Sequence, residues 1–124
     1  SLLEIPVTII SEHKIINYLI DNSIIPRKWI IRAHRKKLKP LWLRPNGSNL
    51  NKMKAIIDYK RNIESDHVMF TLHSSEFMPG GSPAFKTEKD IENLYSHLND
   101  LFSHTQDLYQ AGTLSDYYGY YINK

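Results

Sequence analysis

The chain has 124 residues, of which 41% are hydrophobic and 23% charged, with a formal net charge of +3 and no cysteine. This composition is typical of one folded domain and excludes a disordered tail, a disulfide-stabilised scaffold and a cysteine nucleophile. No apolar run approaches the about 18 residues of a membrane span, so we expect no membrane-spanning segment.

The N-terminal third of the chain predicts one strand followed by two helices. Residues Leu2–Ile10 form a nearly continuous apolar run, which is typical of a buried strand. Ser11 is the predicted N-cap of a helix over Glu12–Asn22, and a second helical segment follows over Arg27–Lys37. Basic residues are concentrated at Arg32–Lys39, where they complement the negative end of a helix dipole. Because no aromatic residues alternate with these cations, we do not expect nucleic-acid binding.

The middle of the chain predicts two more strands around a helix. Leu41–Arg44 is a short apolar run that a Pro-Asn-Gly-Ser loop ends, and Asn49 is placed to cap a helix over Leu50–Asn62. His67–Leu72 is the third predicted strand, and the loop after it, residues 77–83, is rich in proline and glycine. These features alternate strand and helix along the chain.

Two helices are predicted in the C-terminal third. Thr87 with Asp90 resembles a capping box, and the residues after it carry apolar side chains at a clear helical period up to Phe102. Thr113 with Asp116 marks the start of the last, tyrosine-rich helix.

This alternation predicts an α/β fold with parallel strands joined by crossover helices. Three parallel strands leave two sheet edges open. The sequence therefore predicts either a three-stranded domain that self-associates or one arc of a larger α/β barrel.

Polar side chains follow the third predicted strand, where parallel α/β folds gather their reactive groups. His73 is a candidate general acid or base, because imidazole transfers protons readily near neutral pH. Ser74, Ser75 and the amides of Gly80 and Gly81 are candidates to hold an oxygen of a substrate. Glu76 would either cap the loop or contact the ligand; a lone histidine at a strand end can also be purely structural.

Arg44 ends the second predicted strand, where its guanidinium requires a partner. Glu4 or Glu76 would supply a carboxylate for an ion pair that fixes the loop; alternatively, Arg44 contacts an anionic substrate or orients His73. The six histidines show no spacing typical of metal ligands, so we predict no complete metal site in this chain.

Three segments of the chain resemble the C-terminal part of polysaccharide deacetylase-like proteins of the NodB-homology superfamily, found in bacterial surface-polysaccharide gene clusters. The segments are LLEIPVTI, PLWLRPNGSN and HVMFTLHSSEFMPGGSPAFKTEKDIENLY. HSSE-x-M-P-G-G-S-P, where x stands for Phe77, is the most specific of these motifs. The similarity covers most of the chain, and Leu72–His73 matches the leucine and general-acid histidine of the family.

The resemblance implies a distorted (β/α) deacetylase barrel, of which residues 1–124 are a single α/β domain from the C-terminal portion. It also implies a divalent metal, held with a catalytic aspartate base in the missing N-terminal half of the barrel. In such a parent, metal-bound water attacks an acetyl group on a glycan while His73 protonates the leaving amine or alkoxide. This fragment alone is expected to bind no metal and to be inactive.

The expected partners are an acetylated glycan and the missing half of the barrel, or a second copy of the chain. Two other functions remain open: a non-catalytic glycan-binding or scaffold barrel, and an α/β interaction module whose contact surface is Arg32–Lys39. The residues given begin without a secretory signal, which is compatible with the cytoplasm without fixing the compartment.

Overall fold

The structure, a computed structural model, describes residues 3–11, 28 and 40–124. They form a mixed α/β fold, and its elements are, in chain order, β1 (Ile9–Ser11), β2 (Pro40–Trp42), α1 (Leu50–Asn62), a 3₁₀ turn (Ser74–Phe77), α2 (Glu88–Thr105) and α3 (Leu114–Ile122). The two helices predicted over Glu12–Asn22 and Arg27–Lys37 lie outside the described residues, apart from Lys28, which is helical. No helix in the described ranges has the length and apolar character needed to cross a membrane.

The strands β1 and β2 pair in an antiparallel orientation, with Ile9 opposite Trp42 and Ser11 opposite Pro40. The parallel arrangement predicted from the sequence is therefore not confirmed by the strand pair that the structure describes. The first strand is also shorter than the apolar run Leu2–Ile10 suggests, and it includes Ser11, which we had predicted to cap a helix. Pro40 is the first residue of β2, a position that suits proline because it has no N–H to donate to a ladder.

The predicted third strand, His67–Leu72, is extended chain rather than a regular strand. Two separate hydrogen bonds connect it to the segments that contain β1 and β2, without the regular ladder of a sheet. Met69 N donates to Thr8 Oγ1 at 2.7 Å, and Thr71 N donates to the carbonyl of Leu43 at 3.4 Å. The N–H of Leu43 donates in turn to the carbonyl of Thr8 at 3.1 Å. The three extended segments thus lie side by side, connected through Thr8 and Leu43, without forming a continuous sheet.

Two clusters of buried side chains form the core beneath these segments. The first joins the end of β2 to α1 and α2, and the second lies under the loop before α2. Their buried members are Leu43, Met53, Ile56, Ile57 and Leu101 in the first, and Phe85, Leu94 and Leu98 in the second. Phe70 packs against both clusters. Each fully buried aliphatic side chain stabilises the fold by about 1.5–3 kcal/mol. The partly buried Phe70 connects the extended segment to both clusters.

The helices α2 and α3 begin at the capping boxes that the sequence predicts. Thr87 Oγ1 accepts from Asp90 N at 3.2 Å, while the Asp90 carboxylate accepts from Thr87 N at 2.9 Å. Thr113 and Asp116 repeat the arrangement at 3.2 and 2.7 Å. These bonds satisfy N–H groups that have no partner within the helix, which fixes where each helix begins.

Candidate functional site

An open groove of about 650 Å³ lies beside β2, between the loop that follows this strand and the loop that follows the extended segment. Its walls come from β2, the first turn of α1 and the stretch between the 3₁₀ turn and α2. The lining residues are Pro40, Leu41, Trp42, Arg44, Pro45, Asn46, Asn49, Lys52, His73, Ser75, Glu76, Gly81, Ser82, Pro83 and Ala84. The volume falls within the range of small-molecule sites.

Arg44 and Glu76 form an ion pair in this groove, with Arg44 Nη2 donating to Glu76 Oε1 at 2.8 Å. Of the two carboxylates that the sequence offers to Arg44, the structure selects Glu76, while Glu4 is exposed. The two side chains are 32 residues apart in sequence. Their contact therefore connects the loop after β2 to the turn after the extended segment.

Glu76 is buried, with only 4% of its surface exposed, and its second oxygen is also occupied. Oε2 accepts a hydrogen bond from the backbone N–H of His73 at 2.8 Å. Burial, the largest influence, acts to raise the pKa of Glu76, but the His73 N–H and the Arg44 guanidinium outweigh it and hold the pKa below its ordinary value of 4.5. Glu76 is therefore a carboxylate at neutral pH.

His73 lies where the extended segment ends, immediately before the 3₁₀ turn, and it is exposed in the groove. Its backbone is fixed by Glu76 on one side and by the turn on the other, since Glu76 N donates to the carbonyl of His73 at 3.0 Å. The imidazole is exposed and lies near enough to Glu76 to act electrostatically on its carboxylate. A fixed backbone with an exposed ring is suited to proton transfer with a bound ligand.

The glycine amides are engaged within the loop rather than directed to a ligand. Gly80 N donates to the carbonyl of Phe85 and Gly81 N donates to that of Met78, both at 2.9 Å. Gly80 has φ +77°, a conformation that favours glycine, and Gly81 packs so closely on Ser75 that a Cβ there would overlap the Ser75 carbonyl oxygen. In this conformation neither N–H is available for the oxygen that we expected it to hold.

Five of the seven predicted site residues come together at the groove: Arg44, His73, Ser75, Glu76 and Gly81. Ser74 and Gly80 are not among the lining residues. Adjacent residues of this turn point in different directions, which separates Ser74 from Ser75.

Trp42 is a lining residue that the sequence argument missed. Its surface is 46% exposed, whereas that of its neighbour Leu43 is 1% exposed. Trp42 and Arg44 line the groove, while Leu43 between them enters the core. In the sequence, Leu41–Arg44 was interpreted only as an apolar run, which did not single out Trp42 as a lining residue.

Asn49 is a second residue with a role beyond the predicted one. It occupies the N-cap position of α1, as expected, but makes no side-chain cap bond to the helix. Instead, Asn49 Nδ2 donates to the carbonyl of Arg44 at 2.8 Å, and Asn49 Oδ1 accepts from Asn46 N at 2.9 Å. The side chain therefore fixes the loop that carries Arg44.

Within residues 3–11, 28 and 40–124, no three His, Asp or Glu side chains lie close enough together to hold a metal ion. The histidines His67 and His104 each pair with a single aspartate, Asp66 at 2.8 Å and Asp58 at 2.7 Å. The basic stretch Arg32–Lys39, the predicted contact surface of an interaction module, lies outside the described residues.

No protein-family model, no curated protein and no solved structure matches this chain. The resemblance to polysaccharide deacetylases therefore stays a prediction.

Proposed function

We propose that this chain is the C-terminal portion of a polysaccharide deacetylase-like barrel of bacterial surface-polysaccharide metabolism, in which the groove binds an acetylated glycan and His73 is the general acid. The observation that carries the proposal is the clustering of an exposed imidazole, an exposed indole and an anchored guanidinium in one open groove. The residues are His73, Trp42 and Arg44.

The groove has the two kinds of surface that a sugar ring requires. The flat apolar face of the Trp42 indole is suited to the C–H face of a pyranose ring. Beside it, Arg44, Asn46 and Ser75 supply hydrogen-bonding groups for hydroxyl and acetyl oxygens. This combination supports a carbohydrate as the ligand.

The proton that deacetylation requires would come from His73. Once a nucleophile has added to the acetyl carbonyl, the bond from that carbon to nitrogen or oxygen breaks, and the leaving atom takes a proton from the imidazole. The ring is exposed in the groove, and its backbone is held by Glu76 at 2.8 Å. A general acid must be positioned within hydrogen-bond reach of the leaving atom, and this anchoring favours such a position.

The divalent metal implied by the resemblance does not fit the residues described here, because none of them form a three-ligand group. In this proposal its ligands belong to the missing N-terminal half of the barrel.

The antiparallel pairing of β1 and β2 does not itself support a parallel barrel. The proposed arc would need further strands beside the three segments connected through Thr8 and Leu43. The missing half, or a second copy of the chain, would provide them.

Acetate release is the direct test. The protein, together with any coding sequence that precedes Ser1, is incubated with a pool of N- and O-acetylated oligosaccharides, and the released acetate is measured for the wild type and for His73→Gln. We expect about 10²-fold or greater loss of release in the variant. Turnover unchanged by the substitution would remove His73 from the mechanism, and wild-type protein without acetate release would contradict the enzymatic part of the proposal.

A second candidate is glycan binding without hydrolysis. The observation that favours it is the engagement of both glycine amides at 2.9 Å within the loop, which leaves the groove without the backbone donors expected to stabilise an oxyanion. Binding of the same oligosaccharide pool without any acetate release would select this candidate.

A further inference from the structure

The Glu76 carboxylate bridges two walls of the groove. Oε1 accepts from the Arg44 guanidinium at 2.8 Å and Oε2 accepts from the His73 backbone at 2.8 Å. Glu76 lines the groove, but with only 4% of its surface exposed it presents little of itself to a ligand. Both oxygens already have a charged or polar partner within the chain.

We infer that Glu76 is a positioning residue, which fixes the Arg44 guanidinium relative to His73 and does not itself bind the ligand. The relevance of this bridge to a glycan rests on the proposed function, whereas the bridge itself can be tested on the protein alone.

Arg44 is held at two points, its backbone carbonyl and its guanidinium, and the Glu76 bridge is the contact to the guanidinium. Asn49 Nδ2 holds the carbonyl of Arg44 at 2.8 Å, and Glu76 holds the guanidinium. An arginine side chain has several freely rotating bonds, and ordering it costs conformational entropy. Because Glu76 orders the side chain in the free protein, a ligand does not have to do so on binding.

The anchored guanidinium retains donors for a ligand. Arg44 carries five N–H groups, of which Nη2 contacts Glu76, and its side chain is 33% exposed in the groove. Charge supports the same assignment, because an ionised Glu76 holds a guanidinium more firmly than a neutral acid would. The other charged side chain among the lining residues is that of Lys52.

The test compares Glu76→Gln with a matched control, Asp58→Asn, which removes the carboxylate of the His104 pair outside the groove lining. Two quantities are measured on the intact protein: the NMR signal of the Arg44 Nε–H group, and the affinity for the acetylated oligosaccharide pool. In E76Q we expect the Arg44 signal to move to the averaged position of the other arginines and the affinity to fall about tenfold or more. D58N should change neither quantity.

The double variant Arg44→Gln with Glu76→Gln separates positioning from a direct contact. If Glu76 acts through Arg44, the double variant binds no more weakly than R44Q alone. Additive losses, or an E76Q protein that keeps both the Arg44 signal and the wild-type affinity, would overturn the inference.

A third measurement needs no substitution and covers the case in which E76Q does not fold. In the wild-type protein, the His73 amide and Arg44 Nε–H signals should shift with the same midpoint as the Glu76 carboxyl carbon during acid titration. Separate midpoints would overturn the bridge. Wild-type protein that binds no acetylated oligosaccharide but shows one common midpoint would contradict the proposed function while leaving the bridge intact.

Discussion

Replacing Gly81 by alanine adds one methyl group where the loop before α2 packs on the 3₁₀ turn. The new Cβ would overlap the carbonyl oxygen of Ser75 and lie 3.0 Å from its carbonyl carbon and 3.1 Å from the Met78 oxygen. All three atoms belong to the backbone, so none of them can rotate away. Overpacking of this kind costs about 1–3 kcal/mol. Moving the loop away from the 3₁₀ turn would also weaken the hydrogen bond from Met78 N to Ser75 O, which is 3.2 Å long in the wild type. This loss would destabilise the fold by about 1 kcal/mol more.

Gly80→Ala is the matched control, because it adds the same methyl group one residue earlier. A Cβ at Gly80 would meet no atom within 4 Å, and only the φ of +77° is unfavourable, at a cost of about 1–2 kcal/mol. Urea unfolding followed by circular dichroism measures both variants. With a slope of about 1–3 kcal/mol per M, a cost of about 3 kcal/mol in G81A lowers the midpoint by about 1–3 M. G81A that is no less stable than G80A would refute the packing argument.

Three further predictions concern the core, the ion pair and the last helix. Met53→Ala removes a fully buried side chain from the first cluster and should lower the free energy of unfolding by about 2–5 kcal/mol; a loss below about 1 kcal/mol in urea unfolding would contradict this packing. Because the pKa of Glu76 is lowered in the folded protein, its carboxylate stabilises the fold above pH 4.5, and this stabilisation is lost as the pH falls through the folded-state pKa. The stability advantage of the wild type over E76Q should therefore shrink as the pH falls below about 4.5, and an advantage independent of pH would argue against an ionised bridge. Thr113→Ala removes a cap worth about 1 kcal/mol; since no residue of α3 is buried, hydrogen exchange should accelerate in α3 alone, and faster exchange in α2 as well would show that the two helices unfold together.

Helical segments were the part of the fold most accessible to sequence reasoning, because their signals are local. The α1 bounds Leu50–Asn62 follow from apolar spacing, and the starts of α2 and α3 follow from the Thr87 and Thr113 capping boxes. Each of these depends on residues within one or two helical turns.

Strand pairing was less accessible, since it depends on segments far apart in the chain. The apolar runs at Leu2–Ile10 and Leu41–Arg44 predicted extended chain but not its direction of pairing, which is antiparallel between β1 and β2. Two N–H groups of the extended segment His67–Leu72, those of Met69 and Thr71, donate to Thr8 and Leu43, a pairing that no local pattern indicates.

At the groove, the sequence predicted which residues are present but not which hydrogen-bond partner each of them has. It placed Arg44 with a carboxylate and His73 at the end of an extended segment, and the structure brings both to one groove. It did not show that the amides of Gly80 and Gly81 donate within the loop, because these hydrogen bonds depend on where the Phe85 and Met78 carbonyls lie.

We propose that the groove beside β2 is a carbohydrate site containing Trp42 and His73, and an NMR titration of the protein with the acetylated oligosaccharide pool is the decisive test. We predict that the largest shifts occur at the Trp42 indole N–H, the His73 ring and the Ser75 amide, and that the same pool after chemical deacetylation produces smaller shifts. Saturable binding that leaves these three signals unchanged, or no binding at all, would contradict the claim.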